Sequence, residues 1–251
     1  MRDRVYRTEG LILRRNDFGE ADRIVLLATP AGKRRVVARG VRKTTSKLAG
    51  HIELFTHTSL MLALGRNLDI MTQSQTISPH TNLRTSLARL SCAYYAAELY
   101  DRFTEEQDEN PALFAALIET FGLLDRSASP DLVLRAYELH LMQLLGYRPQ
   151  LHQCVVCEAQ LTPVADRFSP ELGGVLCPLH RDADRMALVM AEPVFRLLRY
   201  LQSHPLGAVE SLLLSPELRR DVERLLRAYV RQLLERDLKS VAFLDESLRV
   251  E

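Results

Sequence analysis

The chain has 251 residues, 47% hydrophobic and 26% charged, which is ordinary for a soluble globular protein and argues against wholesale disorder. With 33 basic and 32 acidic residues it is nearly neutral as a whole. No run of about 18 apolar residues is present, and the N-terminus lacks the apolar core of a secretion signal, so we expect a cytoplasmic protein without a membrane span.

The first 80 residues have the pattern of a small β domain. Short segments rich in Val, Ile, Leu and Thr alternate with turn signals, such as Thr29-Pro30-Ala31-Gly32, which fits a type I turn. The predicted strands are residues 5–13, 23–28, 34–41, 57–64 and 68–77. Five strands in this length favour a five-stranded OB-fold β-barrel over another small β domain.

Positive charge is concentrated in this β domain. Residues 1–80 contain 14 basic and 7 acidic residues, and no acidic residue lies between Asp22 and Glu53. Because so many positive charges without counter-charges would repel one another, we predict a phosphate-binding surface and not merely a solvated face. The predicted DNA contacts are Arg14, Arg15, Arg23, Lys33, Arg34, Arg35, Arg39, Arg42, Lys43 and Lys47. Few aromatic residues accompany them (Tyr6, Phe18 and Phe55), so binding should be salt-dependent and weakly sequence-selective.

After residue 79 the apolar residues recur at helical spacing. Three Ser-Pro pairs, which begin at Ser78, Ser129 and Ser215, each fit a helix N-cap followed by proline in the first turn. Gly146 fits the end of the helix that begins after Ser129. The predicted helical regions are residues 80–146 and 190–236, and the first apolar stripe is Leu83, Leu87, Leu90 and Tyr94.

Residues 147–187 differ from the helical regions and hold three of the four cysteines. Cys154-Val155-Val156-Cys157 is followed after 19 residues by Cys177-Pro178-Leu179-His180. Two ligand pairs at this spacing are typical of a structural zinc site, with Cys154, Cys157, Cys177 and His180 as ligands. His152 is an alternative fourth ligand. Gly173-Gly174 is interpreted as a turn, and Cys92, in a helical stretch, as a buried apolar residue.

Two other interpretations of the cysteines are less consistent with the pattern. A redox Cys-x-x-Cys pair needs a βαβ context, which the sequence does not indicate. A zinc deaminase would use His51-Ile52-Glu53 and a Pro-Cys-x-x-Cys motif, but Gln153 precedes Cys154. No phosphate-binding loop, nucleophile elbow or other active-site motif is visible, so we predict a protein that is not an enzyme.

Several stretches together resemble the RecO family of bacterial DNA repair proteins. The specific part is Leu145-Gly146-Tyr147-Arg148-Pro149, the first cysteine pair, and the run from Phe168 to Cys177, FSPELGGVLC. Residues 9–13, 21–25 and 38–43 are also similar to this family. The resemblance covers most of the chain, although zinc-bearing members commonly have a fourth cysteine where this chain has His180.

The resemblance implies a recombination mediator. Such a protein binds single- and double-stranded DNA, anneals complementary strands, and works with RecR and the C-terminal tail of SSB to help load RecA, in the cytoplasm at the nucleoid. It implies an OB-fold DNA-binding domain in residues 1–79 and a mostly helical domain in residues 80–251, with a structural Zn²⁺ in an insertion at about 147–187. The acidic, apolar SSB tail would need an apolar groove edged by arginine, for which the candidates are Arg126, Arg135, Arg196 and Arg199.

Two other functions are compatible with the same sequence. A zinc-dependent enzyme that modifies nucleic acid would show turnover and an exchangeable metal-bound water. A protein-interaction module whose basic surface meets an acidic protein would have no affinity for DNA at moderate salt.

Overall fold

The computed structural model describes residues 5–162, 164 and 166–250. This part of the chain forms two compact units. The first unit contains the residues up to Arg126 and the C-terminal segment from Ser247, and the second contains Ser127–Glu246. None of the described helices is both long and apolar enough to cross a membrane.

The first unit is built on a closed five-stranded barrel. Its strands are β1 Val5–Phe18, β2 Asp22–Thr29, β3 Gly32–Ala38, β4 His57–Ala63 and β5 Asp69–Ser78. They are hydrogen-bonded in the order β1-β2-β3-β5-β4, and β1 also pairs with β4 and so closes the ring. All neighbours are antiparallel except β3 and β5. A five-stranded barrel of this kind confirms the predicted OB-fold.

Apolar side chains from the five strands form the core of the barrel. Residues such as Ile12, Val25, Val36 and Leu62 form one buried cluster inside the barrel, while Leu11 and Leu26, which precede or follow two of them, are buried outside this cluster. All five strands overlap the predicted segments, but β1 continues five residues further, to Phe18, and β3 ends at Ala38, three residues before the predicted end. At the predicted turn before β3, the Thr29 hydroxyl donates a hydrogen bond to the Gly32 carbonyl at 2.7 Å.

Two helices complete the first unit, α1 Leu87–Phe103 and α2 Pro111–Arg126. The predicted helix start at Ser78-Pro79 is wrong, because Ser78 still belongs to β5. The helix N-cap is instead Ser86, whose side chain accepts a hydrogen bond from the N–H of Arg89 at 3.3 Å. The predicted apolar stripe is also wrong for α1, since Leu87 and Tyr94 are exposed and an Ala-rich face that includes Cys92 is buried.

The second unit is built on three mutually packed helices. They are α3 Pro130–Leu144, α4 Glu192–Ser203 and α5 Pro216–Leu234. Helix α6 Ser240–Val250 follows, and its residues from Ser247 belong to the first unit. Helices α3 and α5 begin at the predicted Ser-Pro pairs. At the end of α3, Gly146 has φ +84°, and the N–H of Tyr147 donates to the Met142 carbonyl at 2.7 Å. This geometry is the Schellman C-cap that glycine favours.

Between α3 and α4 the chain forms a small three-stranded antiparallel sheet. Its strands are β6 Asp166–Ser169, β7 Gly174–Leu176 and β8 Leu188–Met190, in the order β7-β6-β8. Gly173 lies in the turn between β6 and β7, as the sequence predicted, whereas Gly174, assigned to the same turn, is the first residue of β7. The sheet holds Cys177 at the end of β7, and thereby positions the second pair of candidate metal ligands.

Candidate metal centre and nucleic-acid interface

The first pair of candidate metal ligands lies on a tight cysteine hairpin, residues 153–160. The hairpin is closed by a bridge between Gln153 and Gln160 and by a hydrogen bond from the Cys154 N–H to the Ala159 carbonyl at 2.9 Å. Glu158 occupies the left-handed region with φ +59°, where the chain reverses. Both sulfur atoms, of Cys154 and Cys157, therefore face the same side of the loop.

The four predicted ligands converge on one point. Their sulfur and nitrogen ligand atoms all lie within 4.8 Å of one another. Cys157 Sγ is 3.8 Å from Cys177 Sγ, and Cys177 Sγ is 3.2 Å from His180 Nδ1. A tetrahedral Zn²⁺ with Zn–S bonds of about 2.3 Å requires S···S separations of about 3.8 Å. The Cys₃His cluster could thus hold a zinc ion, and His152 is not part of the cluster.

The surroundings of Cys154 favour the thiolate that a metal needs. Burial raises the pKa of its thiol, but backbone N–H groups from Cys177 and from the cysteine hairpin donate to the sulfur and lower that pKa to about 6. One of these bonds, from the Cys177 N–H, is 3.4 Å long. Preformed N–H···S bonds of this kind orient the ligands and stabilise negative charge on sulfur.

Gly174 allows the cysteine hairpin to lie against the small sheet. A Cβ atom at this position would come within 2.5 Å of the Gln150 carbonyl oxygen and 2.7 Å of Val155 Cγ1. The backbones are joined there by hydrogen bonds from Val175 N–H to the Gln150 carbonyl and from Val155 N–H to the Val175 carbonyl. Only a residue without a side chain lets both contacts form, so Gly174 sets the distance between the two ligand pairs.

Several of the predicted DNA contacts have acidic partners in space. Lys33 is buried, and its ammonium donates to Asp101 Oδ1 at 2.7 Å and to the Thr104 carbonyl at 2.8 Å. Arg35 forms an ion pair with Glu106 at 2.6 Å. The interpretation that the segment 33–47 lacks counter-charges is therefore wrong, because α1 and the residues after it supply them.

The other predicted contacts divide into two groups. The ion pairs are Arg14 with Asp101, Arg15 with Glu53, and Arg23 and Arg42 with Asp17. Arg34 is half-buried, with its guanidinium 5.8 Å from the centre of the Tyr6 ring. Three predicted contacts, Arg39, Lys43 and Lys47, are exposed and form no ion pair with any residue that the structure describes.

The exposed cations adjoin the turn between β1 and β2. The Gly40 N–H donates to Asp22 Oδ1 at 2.7 Å, and the Arg42 N–H donates to the Ala21 carbonyl at 3.0 Å. Phe18, the last residue of β1, is 53% exposed at the start of the same turn. Of the three aromatic residues considered in the sequence, Phe55 is buried instead, where it packs on Phe121 at a ring separation of 5.3 Å.

Two of the four arginines considered for the SSB tail already bind other groups within the second unit. Arg135 is buried and forms an ion pair with the buried Glu138 at 3.2 Å. Arg199 donates to the carbonyls of Leu151 and Leu161, each at 2.8 Å. Arg126 and Arg196 remain at the surface.

Comparison with known proteins identifies the family. Residues 1–80 match the model for the N-terminal part of recombination protein O, and residues 84–242 match that for its C-terminal part. The chain is 58% identical over 246 residues to a DNA repair protein RecO of Roseiflexus sp. strain RS-1, covering 98% of this chain and 87% of that protein. It is 38% identical to RecO of Dehalococcoides mccartyi strain BAV1, over 98% and 96% of the two chains. The chain therefore belongs to the RecO family of DNA repair proteins.

Proposed function

We propose that this protein is a non-enzymatic recombination mediator that binds single- and double-stranded DNA and anneals complementary strands. The observation that carries the proposal is the exposed basic segment Arg39–Lys47, which has three cations without described acidic partners on an OB-fold barrel. Family membership supports the same role. Lys33 is left out of the proposed surface, because its ammonium is occupied inside the unit.

The chemistry of this surface suits a nucleic-acid backbone. Arg39 and Lys43 neutralise phosphates, and Arg42 joins them by exchanging its ion pair with Asp17 for a phosphate. The exposed ring of Phe18 offers one stacking platform for a base beside them. Annealing follows because neutralised strands repel each other less when they are brought together on one protein. The backbone contacts carry no base pattern, so strands of any sequence are accepted.

The test is single-stranded oligonucleotide binding across a salt series. The variant replaces Arg39, Arg42 and Lys43 with Ala, and the control replaces three exposed arginines of the second unit, Arg185, Arg196 and Arg236, with Ala. Since each lost phosphate contact lowers the log–log salt slope by about 0.7 on a single strand, we expect the first variant to lose about 2 units. An equal effect in both variants would contradict the assignment of this surface.

We also propose that the Cys₃His cluster holds a structural Zn²⁺. The four protein ligands would complete a tetrahedral shell, which leaves no position for a reactive water and supports a role in folding over catalysis. The metal would fix the cysteine hairpin to the end of β7 and to the turn that follows it, which carries His180. A zinc-dependent enzyme would instead show turnover on nucleic acid that chelation abolishes.

We further propose RecR, the SSB tail and, indirectly, RecA as partners. For the acidic, apolar tail, a groove of about 780 Å³ on the second unit offers the side chains of Met186 and Leu188 and the α5 arginines Arg220, Arg224 and Arg231. Acidic residues also line this groove, and each of the three arginines forms an ion pair with a carboxylate, so the tail would have to displace these partners. Fluorescence anisotropy with a tail peptide should show weaker binding for Arg224→Glu and unchanged binding for Arg196→Glu.

A further inference from the structure

A second groove lies on the outer face of the barrel. It has a volume of about 490 Å³ and is formed by β1, β4 and β5 together with the segment between β3 and β4. The strand register places Arg7, Met61 and Gln73 side by side in one row across the three strands. Lys47 and His51 line the groove from the intervening segment.

The electrostatics of this groove suit a polyanion. The guanidinium of Arg7 and the ammonium of Lys47 both line it, and no acidic residue does so in the part of the chain that the structure describes. The side-chain amides of Gln73 and Gln75 provide hydrogen-bond donors and acceptors next to these charges. Positive charge beside neutral amides fits a phosphodiester chain whose bases can approach the amides.

The groove shares Lys47 with the proposed DNA-binding surface, but its other lining residues lie on different strands. Phe18 marks that surface at one end of β1, and Arg7 lies eleven residues earlier on the same strand. At a rise of about 3.3 Å per residue, this separation is about 36 Å measured along the strand. The closed strand order also places β4 across the ring from the hairpin of β2 and β3. The two basic surfaces therefore meet at Lys47 and extend from it over different strands of one barrel.

We propose that this groove is a second binding site for single-stranded DNA, which holds one strand while the Arg39–Lys47 segment holds the other. This inference rests on the proposed annealing function, and it explains how one protein chain brings two DNA strands together. One strand contacts Phe18, Arg39 and Lys43, and the other lies along Arg7, Gln73 and Gln75. Lys47 lies at the boundary between them.

The experiment counts strands on the full-length protein. Two oligo(dT) strands with different fluorophores cannot pair with each other, so a particle carrying both colours reports two sites. The groove variant is Arg7→Glu with Gln75→Glu, and the matched control is Arg196→Glu with Gln232→Glu, which makes the same charge change at exposed positions of the second unit. Thermal unfolding of both variants checks that they fold.

We expect two-colour complexes with the wild type and the control. The groove variant should bind one strand within about twofold of wild type but form two-colour complexes and anneal complementary strands about tenfold less, since its phosphate contacts become repulsive. Unchanged two-colour complexes in the groove variant would overturn the inference, as would an equal loss of one-strand binding, which would indicate one continuous site. A wild type that binds no DNA would instead refute the proposed function itself.

Discussion

The Lys33 ammonium and a carboxylate oxygen of Asp101 lie 2.7 Å apart, although the two residues are separated by 68 positions in the sequence. The same ammonium also donates to the backbone carbonyls of Asp101 and Thr104. Lys33 therefore joins β3 of the barrel to the end of α1. A residue that looks like part of a DNA-binding segment in the sequence is a structural cross-link in the fold.

Replacing Lys33 with Met should destabilise the first unit more than it affects DNA binding. The apolar stem is kept, but Asp101 and two carbonyls lose a charged donor, so the free energy of unfolding should fall by about 2–3 kcal/mol. Urea unfolding checks this. Lys43→Met is the control, because an exposed substitution should change stability by no more than about 0.5 kcal/mol. Equal stability of the two variants would contradict the structural role of Lys33.

The sequence predicts structural features that depend on neighbouring residues better than it predicts contacts between residues far apart in the chain. The barrel strands, the helix starts after Ser129 and Ser215 and the Gly146 C-cap are set by short-range patterns, and the structure agrees with these predictions. It also brings together the four predicted ligands, although the Ser129 side chain makes no capping hydrogen bond. The ion pairs of Lys33 and Arg35 were not, since their acidic partners come from α1 and the residues after it. The sequence also did not indicate the buried face of α1, apart from Cys92, because small residues such as Ala93 and Ala96 give little contrast in apolar periodicity.

The two residues of the Cys177–His180 pair should differ in their tolerance of substitution. His180→Cys keeps a competent ligand and should retain about one equivalent of zinc, whereas Cys177→Ser should lose it. Cys92→Ala is the control, because Cys92 belongs to α1 and is not part of the cluster, and the zinc content of this variant should equal that of the wild type. Metal analysis of the purified proteins measures the zinc bound per protein molecule. If the Cys177→Ser variant keeps one full equivalent, Cys177 is not a zinc ligand.

Gly174→Ala should weaken metal binding without removing any ligand. Its new methyl group would meet the Gln150 carbonyl and Val155, so the cysteine hairpin would have to move away from β7. We expect a loss of about 1–3 kcal/mol of stability and faster transfer of zinc to a chromogenic chelator. Gly207→Ala is a matched control in the same unit, since nothing lies within 4 Å of the added Cβ. If both variants release zinc at the wild-type rate, the close approach at Gly174 does not position the ligands.

His80 should make the stability of the first unit depend on pH. It is buried, and its Nδ1 lies 2.7 Å from the Phe55 carbonyl oxygen; burial lowers the pKa of the imidazole below its ordinary value of 6.5. The unfolded chain therefore takes up a proton at a higher pH than the folded chain. The free energy of unfolding therefore keeps its whole His80 contribution above pH 6.5. It falls as the pH decreases from 6.5 towards the pKa of His80 in the folded chain, by at most about 1.4 kcal/mol per pH unit for one group.

The variant His80→Asn removes the titrating ring but retains a donor and tolerates the left-handed backbone, where His80 has φ +43°. Urea unfolding at several pH values below 6.5 should show a smaller loss of stability for this variant than for the wild type. His204→Asn, which replaces an exposed imidazole, should follow the wild-type curve. If His80→Asn loses as much stability in acid as the wild type, His80 is not the group that couples protonation to unfolding.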